Sequence, residues 1–368
     1  MAAIPSAPPR VGFAQALLNI ALASPLWKYV LVPQARRKIV DTAEENGIPW
    51  NKSLEWISTQ DGPWKDRPKL NTNEEVPSYY RRAFHSYEEG NLCWEAALEV
   101  ELASCAVGAR NFPSFGPKGE EAFRGAFTHA FEKELQVFVP EQAVIVDLGC
   151  GTGMSTRPLA TSNHPQAKQI IGIDMSPYFV AVGKKLLDLS PSSFLQGGWW
   201  VNDIEFDERI DYRVGDAAST ELLDDSVDVV NVLFVVHELP IEVSKAIMDE
   251  AYRILKPGGQ LWVGEMDFES PGYASQRANP LLFSLIRATE PYLDVYAEGQ
   301  SSLREHIATK FAHTQVTAAT GRHYALLATK HRRGDNTSRP GTLQDDRFDR
   351  EGNYRVEDTH LQLWDNKA

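Results

Sequence analysis

Cysteine is scarce. Cys93, Cys105 and Cys150 are the only three in 368 residues, and no two form a C-x-x-C pair. That spacing argues against a disulfide framework or a cysteine zinc site and fits a reducing compartment. No long basic run occurs, and the net charge is -13. An acidic chain repels phosphate backbones, so nucleic acid is not an expected partner. The first 40 residues contain no Asp or Glu, although they carry Arg10, Lys28, Arg36, Arg37 and Lys38. Their apolar stretch, GFAQALLNIALASPLWKYVLV, is interrupted by Asn19, Pro25 and Lys28. A spanning helix needs roughly 20 mostly apolar residues, so transmembrane insertion is not expected. Three readings stay open for this stretch: an organelle transit peptide, an amphipathic helix making peripheral membrane or partner contact, and a helix packed on the domain. The last is favoured by the shortage of Ser and by a helical pattern continuing through QARRKIVDTAEENG. The compartment is accordingly cytoplasmic or organellar. There is no internal repeat.

What is present supports a buried core: 43% of residues are hydrophobic and 24% charged. Residues 1 to about 75 read as helices broken by Pro-rich turns, with a loop at 59–78. Segment 79–109 reads as one or two aromatic-rich helices, and 120–135 as an amphipathic helix. From 143 onward the pattern alternates between strand and helix, which predicts a mostly parallel sheet. Strands are expected at 143–148, 169–174, 210–215, 227–235 and 260–266, with helices near 154–161, 177–189 and 240–256. Pro257 and Gly258 of KPGG are expected to end the last of these. A helix around 280–296 and an antiparallel hairpin at 315–330 follow. The tail from 331 is polar and is read as partly flexible, although YRVEDTHLQLWDN has the makings of a docked strand.

The most informative stretch is VIVDLGCGTGMSTRPLA, from Val144 to Ala160. A strand ending near Asp147 runs into a turn carrying Gly149, Gly151 and Gly153, and a helix begins beyond it. Glycines let the backbone approach a ligand closely, and a helix N-terminus offers free N–H groups. A dinucleotide fingerprint, G-x-G-x-x-G, would need glycine where Met154 stands. About 20 residues on, IIGIDMSP puts Asp174 at a strand end, where a carboxylate can accept both ribose hydroxyls. Met175 beside it can cover a purine face. YRVGDA then places Asp216 at a third strand end, within reach of an exocyclic amine. These positions suit a nucleoside with a short charged extension better than a dinucleotide. S-adenosyl-L-methionine fits that description.

Residues 143 to about 330 resemble the class I S-adenosylmethionine-dependent methyltransferases of the small-molecule type 11 kind. The resemblance is carried by VIVDLGCGTGMST, IIGIDMSP, YRVGDAASTELLDDSVDVVNVLFVVHELP and EAYRILKPGGQLWVGEMD. It implies an α/β, Rossmann-like seven-stranded sheet with a terminal antiparallel hairpin. It implies that Asp147 and the glycines cradle the methionine part, that Asp174 holds the ribose, and that Met175, Asp216 and Ala217 meet the adenine. Leu233 on the fourth strand joins these cofactor candidates. The expected organisation is a helical N-terminal extension or lid at 1–140, the methyltransferase domain at 141–330 and the polar tail at 331–368. The connection before the third strand, PSSFLQGGWWVNDIEFDER, is longer than a minimal one, and Trp199 and Trp200 in it either cap a substrate pocket or anchor the loop.

Methyl transfer needs alignment and exclusion of water, and an oxygen or carbon acceptor also needs a base. FVVHELP places His237 and Glu238 near the expected methyl position, as candidates for proton transfer or, equally, for packing and helix capping. Glu265 and Asp267 are candidates for substrate contact. Tyr79, Tyr80, His85, Tyr87 and Trp94 either form an aromatic lid over the acceptor or pack in a helical layer. No metal is expected. The expected partner is a small, moderately apolar acceptor such as a phenol, quinone, lipid or polyketide-like molecule. A nicotinamide-dependent oxidoreductase and a non-catalytic, methyltransferase-like assembly factor stay open as alternatives. No Asn-Pro-Pro-Tyr-like motif for planar nitrogen acceptors occurs.

Overall fold

A computed structural model describes residues 32–70, 76–85, 87–160, 164–189, 206–277, 289–335 and 341–356. Eight strands form one sheet in the order β3-β2-β1-β4-β5-β7-β6-β8. They are β1 (Val144–Leu148), β2 (Gln169–Asp174), β3 (Ile210–Val214), β4 (Val227–Leu233), β5 (Leu255–Met266), β6 (His313–Thr320), β7 (His323–Thr329) and β8 (Thr342–Asp345). The first five run parallel, and β7 is antiparallel to both β5 and β6. The central strands read as continuous apolar runs because both their faces are covered, as parallel strands require. Ile145, Val146 and Leu148 of β1 are fully buried.

The chain reverses direction of strand order beside β1, so the ends of β1, β2 and β4 open a crevice there. Such crevices are where open α/β sheets bind ligands. One face of the sheet is covered by helices α7 (Ile241–Ile254) and α9 (Leu293–Lys310), which bury Ile247, Ala251, Tyr296 and Leu303. The other carries α4 (Gly119–His129), which runs into a π-helical turn at Ala130–Glu134. Further along that face, α3 (Trp94–Asn111) packs against α6 (Pro177–Asp188). The start of α6 is set by sequence: Pro177 occupies the first turn, and the Ser176 hydroxyl accepts from the Phe179 N–H. Helices α1 (Val32–Glu45) and α2 (Trp50–Thr59) complete the N-terminal layer.

Three expectations are corrected. The sheet has eight strands instead of seven, because tail residues Thr342–Asp345 pair in parallel with β6. Helix α3 begins only at Trp94. Residues 76–85 and 87–93 form turns instead, closed by an isolated bridge between Phe84 and Tyr87. Gly90 has φ +57, and a Cβ there would lie 2.2 Å from the Arg82 carbonyl oxygen, so a helix cannot pass through. Helix α7 stops at Ile254, and Lys256, Pro257 and Gly258 already lie in β5. A helix runs over Leu293–Lys310; most of the helix expected at 280–296 falls on residues 278–288, which lie outside the described residues, as do Trp199, Trp200 and the first 31 residues. Among the described residues no helix is long and apolar enough to cross a membrane.

Candidate active site

The loop after β1 is fixed from beneath. Asp147 is 1% exposed, and its two carboxylate oxygens accept from Asn231 Nδ2 at 2.7 Å and Thr156 Oγ1 at 2.6 Å. Burial pushes its pKa up despite these bonds. Asp147 therefore supports the loop instead of facing the crevice. The three glycines divide by role. A Cβ on Gly149 would meet Val235 Cγ2 at 2.5 Å, and one on Gly153 would meet the Tyr212 hydroxyl at 1.7 Å. At Gly151, φ +57, the only neighbour within 4 Å among the described residues is a Phe179 ring carbon at 3.9 Å. Gly149 and Gly153 are small because the protein packs against them, whereas Gly151 leaves room in the crevice.

A buried ion pair locks the outer side of the same loop. Glu101 on α3 and Arg157 are 1% and 5% exposed in their side chains. Arg157 reaches both Glu101 oxygens at 3.1 Å, and Thr152 Oγ1 donates to Glu101 at 2.7 Å. Neither Glu101 nor Arg157 is evident as a partner from sequence, since 56 residues separate them.

Asp174 ends β2 and is 7% exposed. It accepts from the Gly151 N–H at 2.9 Å and the Ser176 N–H at 2.8 Å. Burial outweighs these bonds and holds its pKa at about 6. A carboxylate has about four acceptor positions, so Asp174 retains capacity for a ligand hydroxyl. Met175 lies half-buried beside it. Asp216 and Ala217 are half-buried in the turn after β3, where Asp216 accepts from the Ala218 N–H at 2.8 Å. Leu233 is not part of this group: it lines a separate apolar cavity with Phe127, Phe131 and Trp262.

The N-terminal turns come across the crevice. Tyr80 donates to Asp174 at 3.4 Å, and burial followed by that carboxylate raises its pKa strongly. Tyr79 is pushed up to about 12 by burial and then by Asp216. Asn91 donates to Glu238 at 3.3 Å, and its carbonyl accepts from Ser176 Oγ at 2.6 Å. Tyr79, Tyr80, Asn91, Glu238 and Tyr292 line one cleft. His85 holds a left-handed φ of 47, with Nε2 3.9 Å from Glu290. Tyr87 and Trp94 turn away instead. Tyr87 donates to buried Glu99 at 2.5 Å, and Trp94 donates to the Pro68 carbonyl at 2.8 Å. Asn91, Glu290 and Tyr292 carry no motif, and only folding reveals them.

His237 and Glu238 occupy a 3₁₀ turn after β4. His237 Nδ1 lies 2.9 Å from both oxygens of Glu265, which is fully buried on β5. Burial alone would pull His237 down, but the Glu265 carboxylate overrides it and holds the imidazole at about 10. The pairing with Glu265 favours the imidazolium form of His237, whose Nε2 lies 4.0 Å from Glu238. Burial raises Glu238 to about 8, with Glu290 and Asp174 adding to the effect and His237 opposing it. The expected substrate contacts at Glu265 and Asp267 are also corrected. Glu265 faces His237. Asp267, with no exposed surface, accepts from Arg347 Nη1 at 2.9 and 2.8 Å and from the Tyr354 hydroxyl at 2.8 Å.

The fold and crevice define a class I S-adenosylmethionine-dependent methyltransferase domain. Residues 146–263 match the family model described as "Methyltransferase domain", and the cofactor of this class is S-adenosyl-L-methionine. An uncharacterized methyltransferase-like protein of Schizosaccharomyces pombe is 32% identical over 126 residues, covering 34% of this chain and 39% of its own length. A demethylmenaquinone methyltransferase of Lactobacillus johnsonii is 29% identical over 152 residues, 41% of this chain and 51% of its own. The chain thus spans about half or less of the length of these relatives. Among solved structures, a SAM-dependent methyltransferase from Methanosarcina mazei aligns with TM-score 0.37 and 16% identity, over 54% of this chain and 98% of that one.

Proposed function

We propose that this protein transfers a methyl group from S-adenosylmethionine to a small, moderately apolar metabolite. The observation that carries this reading is the cleft lined by the lid tyrosines and Glu238, which Asp174 adjoins through Tyr80. Tyr80 touches Asp174, and Asn91 ties Glu238 to the backbone beside Asp174 through Ser176. A ligand lying on Asp174 and one touching Glu238 would therefore be neighbours. The room at Gly151 and the spare acceptor positions on Asp174 suit the methionine and ribose parts of the cofactor. When bound, that cofactor supplies an electrophilic methyl on a sulfonium centre. The chain's own part is to align the acceptor, exclude water and move a proton.

Glu238 is the group for the proton. A base works best with a pKa near the working pH, and burial has moved Glu238 to about 8. His237, kept charged by Glu265, steadies the carboxylate form of Glu238. The rings of Tyr79, Tyr80 and Tyr292 supply the walls for a flat apolar body. The Lactobacillus relative named above has, by its name, such an acceptor.

The test is calorimetric titration with S-adenosylmethionine, on the intact chain and on Asp174→Ala, followed by acceptor screening with Glu238→Gln as control. Micromolar cofactor binding lost in Asp174→Ala, with turnover lost in Glu238→Gln, is expected. No binding of the cofactor, or equal binding by Asp174→Ala, refutes the reading. Binding without turnover for any acceptor turns it toward a non-catalytic role.

A further inference from the structure

The charges around the cleft are unbalanced. Asp174, Glu238, Glu265 and Glu290 supply four carboxyl groups. The imidazolium of His237 is matched by Glu265 through Nδ1 at 2.9 Å. Asp174 receives two backbone N–H groups and stands on the cofactor side. Arg82 lies over the Tyr292 ring at 5.5 Å. Arg110 on α3 lies near Glu290 and offsets part of its charge, but among the described residues neither Glu238 nor Glu290 has a hydrogen-bonded cation. Among those residues Glu238 receives only Asn91 Nδ2, at 3.3 Å, and lies 4.0 Å from His237 Nε2. Glu290, immediately before cleft-lining Pro291, has His85 Nε2 no nearer than 3.9 Å. Its Oε2 is a buried atom that no hydrogen bond from the described residues reaches. A buried acceptor left without a partner is costly, so this is a place that lacks a donor.

The rest of the lining is mostly aromatic, with Asn91, Pro291 and the exposed Arg82 at its border. Tyr79, Tyr80, Phe84 and Tyr292 share the cleft with Glu238. Aromatic faces attract cations through their quadrupole, the more so when water is excluded. Carboxyl groups and ring faces together favour a positively charged guest, and they disfavour a phenolate or a carboxylate. We infer that the acceptor is an amine, which enters the cleft as an ammonium ion with Glu238 as its counter-charge and Glu290 behind it. This rests on the methyltransferase reading and names its substrate class.

The chemistry follows from the same residues. An ammonium nitrogen has no lone pair and must lose a proton before it is methylated. One N–H bond breaks, its electron pair stays on nitrogen, and the proton forms an O–H bond on the Glu238 carboxylate. The freed pair would form the N–C bond as the bond from the transferred methyl to the sulfonium sulfur of the bound cofactor breaks, its pair staying on sulfur. The methylated amine departs as the proton on Glu238 passes to water. His237, Glu265, Glu290, Asp174, Tyr80 and Asn91 are the groups that face Glu238 and set this balance.

Three probes of one shape and different charge decide the matter: benzylamine, benzyl alcohol and benzoate. Each is titrated calorimetrically at pH 7 into the full chain saturated with S-adenosylhomocysteine, in two buffers of different ionisation enthalpy. Benzylamine is expected to bind at least ten-fold more tightly than benzyl alcohol, with benzoate weakest. It is also expected to release a proton, because Glu238 gives up its own when an ammonium arrives. Glu238→Gln abolishes that release and weakens benzylamine at least ten-fold, and Glu290→Gln weakens it less. Equal or tighter binding of the alcohol or of benzoate, or binding by none of the three, overturns the inference. Failure of S-adenosylhomocysteine itself to bind overturns the methyltransferase reading, and the inference with it. Should Glu238→Gln fail to fold, the order of the three probes on the unaltered chain still decides.

Discussion

Substituting the three loop glycines one at a time by alanine separates packing from ligand binding. All three have positive φ: 71 at Gly149, 57 at Gly151 and 102 at Gly153. A left-handed conformation costs an L-residue roughly 1–2 kcal/mol, so each variant bears at least that strain. Gly151→Ala bears little more, since its Cβ meets nothing nearer than 3.9 Å. At Gly153 the Cβ would fall 1.7 Å from the Tyr212 hydroxyl. Tyr212 has no room to retreat, because it is 1% exposed and its ring already lies 2.7 Å from the Cβ position of Gly172. Overpacking of this kind adds about 1–3 kcal/mol. Gly149→Ala meets Val235 Cγ2 at 2.5 Å and falls in the same range. Urea unfolding should therefore place Gly151→Ala roughly 1–2 kcal/mol below the unaltered protein, with the other two clearly lower. The order should invert in cofactor binding. Gly151→Ala, folded, places a methyl group in the crevice and should lose at least ten-fold in affinity for S-adenosylmethionine. If Gly151→Ala is the least stable of the three, or folds and binds the cofactor normally, then this division of the glycines is wrong.

Glu101→Gln leaves Arg157 buried without its carboxylate, and breaking such a pair costs about 3–5 kcal/mol; a loss below 1 kcal/mol in chemical denaturation would show that the α3 clamp on the loop is dispensable. Asp174 has its folded pKa raised from 3.8 to about 6, so the stability tied to its protonation is present below 3.8 and lost as pH rises through about 6. Ribose hydroxyls need the anion, so cofactor affinity should weaken as pH falls below about 6, and a flat profile between pH 5 and 7 in calorimetry refutes this assignment. Glu265→Gln removes the carboxylate that holds His237 at about 10. The imidazole should then titrate several units lower in NMR; in the unaltered protein, its contribution to stability is present below 6.5 and lost as pH rises through about 10. Arg347→Met strands the fully buried Asp267 and should cost about 3–5 kcal/mol, whereas Asp267→Asn combined with it should recover part of the loss in thermal melts.

The sheet was legible because its information is local. Five parallel strands announce themselves by apolar runs such as IIGID, and the cofactor crevice by glycines and strand-end acids at fixed separations. Asp174, Met175, Asp216 and Ala217 fall where those spacings put them. What sequence could not convey depends on tertiary partners. His237 reads as an ordinary imidazole until β5 sets Glu265 against Nδ1, and Glu238 reads as a helix-start acid until burial and Glu290 raise it. Asp147, Glu265 and Asp267 look like open-edge carboxylates, yet each is fully buried and already partnered. Leu233 shows the limit of strand-end logic. One residue before a left-handed Phe234, its side chain joins the apolar cavity instead of the crevice. The eighth strand was missed because its four residues, Thr342–Asp345, are all exposed and carry no periodic signal.

Both extensions beyond the common core reach the same edge of the sheet, and both do so through buried charge. From the N-terminal side, Glu101 meets Arg157 under the cofactor loop. From the C-terminal side, Arg347 meets Asp267 two residues beyond the carboxylate that holds His237. A buried ion pair contributes little net stability when intact but is expensive to halve. Excising residues 141–330 would take Glu101 from Arg157 and Arg347 from Asp267, together with the layers that bury both pairs. Arg157 is held to Thr152 of the loop as well as to Glu101, so movement of the N-terminal layer is felt at the crevice. Tyr80 and Asn91 are carried by that same layer, so the crevice is shaped and covered by one piece of chain.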